Sequence, residues 1–131
     1  MSDPDCIFCK IIRGEIPGRI IDRNNDVTVF LSLDNHPLVV TNEHVADIFG
    51  LSDKLGAAVM SEAIRIAKTM RAALSPDGIH SAQSNGEAAG QEVFHYHMHL
   101  YPHWTHHRGL DESEAGKDRM AESLRAALTK I

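Results

Sequence analysis

Cysteine is scarce, with two in the whole chain, Cys6 and Cys9. A small disulfide-stapled scaffold is thereby excluded, because such scaffolds need several bridges. No apolar run reaches the roughly 18 residues that cross a bilayer. The first residues carry Asp3 and Asp5 in place of the basic-then-apolar pattern of a secretory signal. A cytoplasmic location is the default expectation. There is no excess of positive charge either: the net charge is −5. Nucleic-acid polymers, which attract basic surfaces, are disfavoured as partners, whereas a mononucleotide needs only local donors. Repeats, low-complexity tracts and linkers are also missing, so residues 1–131 read as one domain with one core.

Histidine, in contrast, is abundant, at nine residues. Around these histidines the chain alternates between helical and extended patterns. Cys6 to Arg13 reads as a short helix with Ile7, Phe8, Ile11 and Ile12 on its apolar side, ended by Gly14 and Pro17. Arg19–Asp22 and Asp26–Leu33 read as strands around an Asn24-Asn25 turn, followed by a short strand over Leu38–Thr41. Ser52–Leu74 is the clearest helix, capped by Ser52, with Leu55, Val59, Ile66, Met70 and Leu74 as its buried stripe. Ile79–Ser84 and Gln91–Tyr101 read as strands on either side of a small-residue loop, Asn85–Gly90. Asp111–Ile131 reads as an amphipathic C-terminal helix that packs on its own domain or meets a partner. The mixture predicts an α+β domain with a mostly antiparallel sheet.

The densest signal is His95-Tyr96-His97-Met98-His99-Leu100-Tyr101. On a strand, residues two apart share a face, so the three imidazoles align at about 6.5–7 Å spacing. Tyr96, Met98 and Leu100 then face a core. A single buried histidine is ordinary packing, but three at period two would each need partners for two ring nitrogens. The outer two lie about 13–14 Å apart on a straight strand. They cannot both ligate one metal at about 2 Å bonds. The row therefore divides several tasks along one groove. Cys6 and Cys9 have the spacing of a zinc knuckle. A thioredoxin-type redox pair would need a preceding strand, for which almost no chain is available. Two small buried apolar residues is the plainer alternative.

The histidine run resembles the motif of the histidine triad (HIT) family. Three further segments resemble the same family: Asn85-Gly86-Glu87-Ala88-Ala89-Gly90-Gln91-Glu92-Val93-Phe94, Cys6 to Pro17, and His36-Pro37-Leu38-Val39-Val40 with His44. The match runs over residues 6–104 and is nearest to the Hint-like nucleotide-binding branch. The resemblance implies a five-stranded, mostly antiparallel sheet with one long and one C-terminal helix, extended across a homodimer. It implies nucleotidyl hydrolase or transferase chemistry on phosphoramidates, acyl-nucleotides or dinucleoside polyphosphates. His97 would be the nucleophile, its ring held by the main-chain carbonyl of His95. His99 and Gln91 would bind phosphate oxygens, Asn85 the sugar or phosphate, and Gly90 would let the backbone approach. Ile7, Phe8, Ile11, Phe30 and Leu33 would form an apolar slot for the base. Glu92 stands where some relatives carry a serine near the leaving group. Cys6, Cys9, His44 and His95 would hold a structural zinc.

The chain also departs from that pattern. The stretch Leu31–His36 is about four residues shorter than usual. Ser32 stands where many relatives carry a ribose-binding Asp, with Asp34 two positions on, and Thr41-Asn42 replaces a common Pro-Lys pair. A catalytically weak nucleotide-binding or zinc-stabilised interaction protein is therefore the second expectation. His103, His106 and His107 read as a solvated loop, with a leaving-group contact or a second metal as the sharper alternatives.

Overall fold

The computed structural model describes residues 3–106 and 109–131. His107, which belongs to the histidine-rich tail, lies outside them. Helix α1 spans Ile7–Arg13 and is followed by strands β1 (Ile20–Arg23), β2 (Val27–Leu31) and β3 (Pro37–Thr41). After one 3-10 turn at Ile48–Gly50 come helix α2 (Asp53–Leu74) and strand β4 (Gly78–Ala82). A second 3-10 turn at Glu87–Ala89 leads to β5 (His97–His103) and helix α3 (Glu114–Leu128). The strands form one sheet in the order β1-β2-β3-β5-β4, antiparallel throughout.

Local chemistry sets the ends of these elements. The Cys6 sulfur caps α1 by accepting from the Cys9 N–H, and Gly14 closes it at φ +81°, a left-handed conformation that a side chain would strain. Asn24 Oδ1 accepts from the N–H groups of Asp26 and Val27 at 2.8 and 2.9 Å, which makes the β1–β2 turn. Ser52 caps α2 through Leu55 N–H, and Ser113 caps α3 through Gly116 N–H.

The two faces of the sheet serve different cores. Leu55, Val59, Ala63, Ile66 and Met70 of α2, with Met120, Ala121, Leu124 and Leu128 of α3, pack on Val27, Val29, Leu31, Val39 and Leu100. On the opposite face α1 lays Phe8 against Phe30, Leu38 and Val40. β2 is buried along its whole length because both faces are covered. Each of these large side chains contributes about 1.5–3 kcal/mol by leaving water.

The sequence-based strand over Gln91–Tyr101 needs correction, because β5 begins only at His97. Residues 91–96 are held instead by side-chain-to-backbone bonds and by a bond from Tyr96 N–H to Val45 O at 2.7 Å. The last helix is also shorter than Asp111–Ile131, since Asp111 accepts from Ser113 N–H ahead of the cap. Among the described residues no helix is long and apolar enough to cross a membrane.

Candidate functional site

β5 pairs with β3 so that His97 faces Val40 and His99 faces Leu38. Both histidines, with Tyr101, therefore project on the α1 side of the sheet, and Leu100 projects into the main core. The His97 ring meets the Phe8 ring edge-on at 5.0 Å and 89°. Its Nδ1 donates to the carbonyl of His95 at 2.7 Å. That bond fixes the proton on Nδ1 and leaves the Nε2 lone pair free. Burial lowers the pKa of His97 despite that hydrogen bond, so the ring is neutral at neutral pH.

His99 is held by a residue to which sequence reasoning gave no role. His36 Nε2 lies 2.9 Å from His99 Nδ1, and His36 Nδ1 lies 2.9 Å from Ser32 Oγ. Ser32 Oγ already accepts from His36 N–H at 3.2 Å. Its hydroxyl proton is therefore available to His36 Nδ1. The direction then propagates: His36 Nε2–H donates to His99 Nδ1, and His99 keeps its proton on Nε2. Burial pushes His36 and His99 down to about 4, helped by the neighbouring imidazoles. Tyr101 stacks on His99 at 5.3 Å and 6°, and closes on His36 at 4.1 Å. The missing signal is non-local: only the β3–β5 register brings residue 36 beside residue 99.

The first histidine of the run turns elsewhere. His95 Nδ1 lies 3.3 Å from Cys6 Sγ, 3.5 Å from Cys9 Sγ and 3.2 Å from His44 Nδ1. Cys9 Sγ lies 3.4 Å from His44 Nδ1, and all four ligand atoms fall within 4.8 Å of one another. Tetrahedral zinc, at about 2.3 Å to sulfur and 2.0–2.1 Å to nitrogen, would space its ligands by about 3.3–3.8 Å. The outer contacts match as well. His95 Nε2–H donates to Thr41 O at 2.6 Å, and His44 Nε2 lies 3.7 Å from the Asp3 carboxylate. Both histidines thus carry their proton outward and present Nδ1 inward, as metal-bound imidazoles do. The cluster can hold a metal ion.

The remaining predicted site residues divide into two groups. Phe8, Phe30 and Ile11 pack together, with the two phenyl rings edge-to-face at 5.3 Å. Ile7 is half exposed and Leu33 is 84% exposed, so neither closes the slot. Gln91 is 4% exposed and fully engaged with backbone. It accepts from Gly86 N–H at 2.7 Å and donates to Ala46 O and Val93 O at 2.6 and 3.1 Å. Asn85 accepts from Ile48 N–H at 2.7 Å and pairs with Gln83. These two side chains brace the loop that ends at Gly90, itself at φ +97°. Glu92 and Asp34 are exposed, as are His103 and His106.

Comparison with known proteins agrees with this geometry. A family model described as HIT domain matches residues 13–106. The chain is 36% identical over 104 residues to Protein hit of Bacillus subtilis, covering 76% of this chain and 72% of that protein. It is 31% identical over 137 residues to adenosine 5'-monophosphoramidase HNT1 of Saccharomyces cerevisiae, covering 98% and 84%. The crystal structure of a zinc-bound histidine triad family protein from Mycobacterium smegmatis superposes with a TM-score of 0.87 at 28% identity, covering 96% of this chain and 94% of that one. Its fold, its histidine row and these similarities together make the chain a member of the histidine triad family.

Proposed function

We propose that this protein is a nucleotidyl hydrolase or transferase that acts at the α-phosphorus of nucleoside phosphoramidates, acyl-nucleotides or dinucleoside polyphosphates. The observation that carries the proposal is the 2.7 Å bond from His97 Nδ1 to the His95 carbonyl, which turns the ring proton inward and leaves the Nε2 lone pair of a partly buried, neutral imidazole for attack. In the first step the Nε2 lone pair attacks phosphorus. The new N–P bond forms as the bond to the leaving group breaks, and the leaving group departs with the electron pair. His99 Nε2–H, oriented by the Ser32–His36–His99 chain, donates a hydrogen bond to that group as it departs, and the proton the group takes up comes from water. In the second step water attacks phosphorus and gives up a proton to solvent, the N–P bond breaks with its electron pair returning to His97 Nε2, and nucleoside monophosphate leaves. Phe8, Ile11 and Phe30 form the wall against which a base stacks. In this reading Gly90 lets the phosphate approach the loop backbone, and Ser32 and Asp34 border the sugar.

The cluster of Cys6, Cys9, His44 and His95 holds zinc in this reading. A shell of four protein ligands is closed, so the metal would anchor α1 to the sheet and contact no substrate. The protein works as a cytoplasmic homodimer.

One observation favours the second reading, a nucleotide-binding or zinc-stabilised interaction protein with weak turnover. Gln91 Nε2 spends both protons on backbone carbonyls and has none for a phosphate oxygen while the loop keeps its bonds, and Asn85 retains one Nδ2 proton. Incubation with adenosine phosphoramidate and dinucleoside polyphosphates, with mass spectrometry of the protein, separates the two. Turnover with a nucleotidyl adduct on His97, both lost in His97→Ala, is the expected result. Tight binding without adduct or turnover would leave only the second reading.

A further inference from the structure

The metal cluster and the catalytic row meet in one residue. His95 makes three commitments: Nδ1 to the cluster, Nε2–H to Thr41 O at 2.6 Å, and its own carbonyl to His97 Nδ1 at 2.7 Å. Its side chain is wholly buried, so water cannot replace a lost ring partner. Residue 95 also lies ahead of β5, which begins at His97. The neighbouring backbone bond runs from Tyr96 N–H to Val45 O, outside the sheet. That bond holds the N–H of the 95–96 peptide itself, and its acceptor follows the cluster residue His44, so the peptide plane is set by it together with what grips the His95 ring. Two things grip it: the Thr41 carbonyl on one nitrogen and the cluster on the other.

We infer that occupancy of the Cys6–Cys9–His44–His95 cluster sets the competence of His97, with His95 as a positioning residue that transmits it. The inference rests on the nucleophile role proposed above for His97. With a cation bound, the ring is held at both nitrogens and the carbonyl at 95 points at His97 Nδ1. Without it, His44 and His95 both lose their Nδ1 partner, so only the Thr41 and Val45 bonds hold residue 95 and its carbonyl aligns less strictly with His97 Nδ1. His97 then samples both tautomers, and in one of them Nε2 carries a proton and cannot attack. The metal thereby acts on the chemistry without touching substrate. The competing account, that the cluster only staples α1 to the sheet, leaves His97 unchanged as long as the fold persists.

The test compares the zinc-loaded protein with the same protein after chelation, circular dichroism reporting the fold in each. Long-range nitrogen–proton NMR of 15N-histidine-labelled protein reads the His97 tautomer directly. The expected result is a single Nδ1–H form when loaded and a mixture when stripped. The kcat for adenosine phosphoramidate falls by about 10- to 100-fold and is restored by zinc. A stripped, folded protein that kept the Nδ1–H form and a kcat within about twofold would overturn the inference. Should chelation unfold the chain, cadmium-loaded protein replaces the stripped sample, since its longer bonds to sulfur displace His95 without removing the ligand set. A shifted His97 Nδ1 proton resonance supports the inference, and superimposable spectra overturn it. If the loaded protein forms no adduct at all, the proposed function fails, while the NMR comparison still decides the coupling.

Discussion

His36 shows how much one side chain can carry without touching a ligand. It is 1% exposed and sits between Ser32 and His99. Replacing it with alanine leaves His99 Nδ1 without a donor, and the proton on His99 is no longer confined to Nε2. We expect His36→Ala to lower kcat by about 10- to 100-fold with KM little changed, and His36→Gln, which keeps a donor, to recover part of the loss. Steady-state kinetics on a phosphoramidate checks this. The same residue shapes the response to acid. Its folded pKa of about 4 lies below the usual imidazole value of 6.5. The unfolded chain therefore binds a proton that the folded chain refuses. The stability from His36 is complete above pH 6.5 and is lost as pH falls toward 4, on the order of 3 kcal/mol in all. Thermal unfolding between pH 7 and 4 should show a shallower decline in His36→Gln than in the unsubstituted protein.

At the scale of elements, one contact between α2 and β1 runs the other way with pH. Glu62 on α2 is 4% exposed. It faces Asp22 of β1, and Arg65 lies 3.7 Å away while ion-pairing Asp22. Burial, with Asp22 beside it, pushes the Glu62 carboxyl up to about 7. The folded state then holds a proton that the unfolded state releases. Its contribution is complete below about 4.5 and fades as pH rises through 7, on the order of 1–3 kcal/mol. Glu62→Gln should raise the melting temperature at pH 8 and leave it nearly unchanged at pH 5, as differential scanning calorimetry would show.

The elements also differ in how legible they were. The stripe Leu55, Val59, Ile66 and Met70 announced α2, and its Ser52 cap fixed the start. The pattern around His97 and His99 gave the face but not the beginning of β5, because residues 91–96 also alternate and only tertiary bonds of Gln91 and His95 take them off the sheet. Of the cluster, the spacing of Cys6 and Cys9 was readable as a zinc-type pair, while His44 and His95 joined it only through family resemblance. Its members are up to 89 residues apart in sequence. The tie between His36 and His99 was not readable at all, since no local pattern encodes which strands become neighbours.

For the whole molecule, the sheet order leaves β4 at an edge, with no strand among the described residues beyond its ladder to β5. Its outward residues are exposed, and Met60 and Ile64 of α2 are half exposed. A second copy joining edge to edge would satisfy that backbone and cover those side chains. Light scattering is expected to give twice the 14.5 kDa chain mass, and a mass equal to one chain would remove the homodimer from the proposal. A charge introduced on β4, Ser81→Glu, should shift the equilibrium toward single chains.

The division of β2 between two cores reaches beyond stability. Val27, Val29 and Leu31 serve the helical side, while Phe30 belongs to the small cluster under α1. What keeps the chain folded is thus walled off, by the thickness of one sheet, from what would meet a ligand. Changes at the tip after Leu31 therefore leave the packing behind the sheet untouched. Such an arrangement lets new specificities arise from small peripheral edits, and it makes one architecture serviceable for many chemically related molecules.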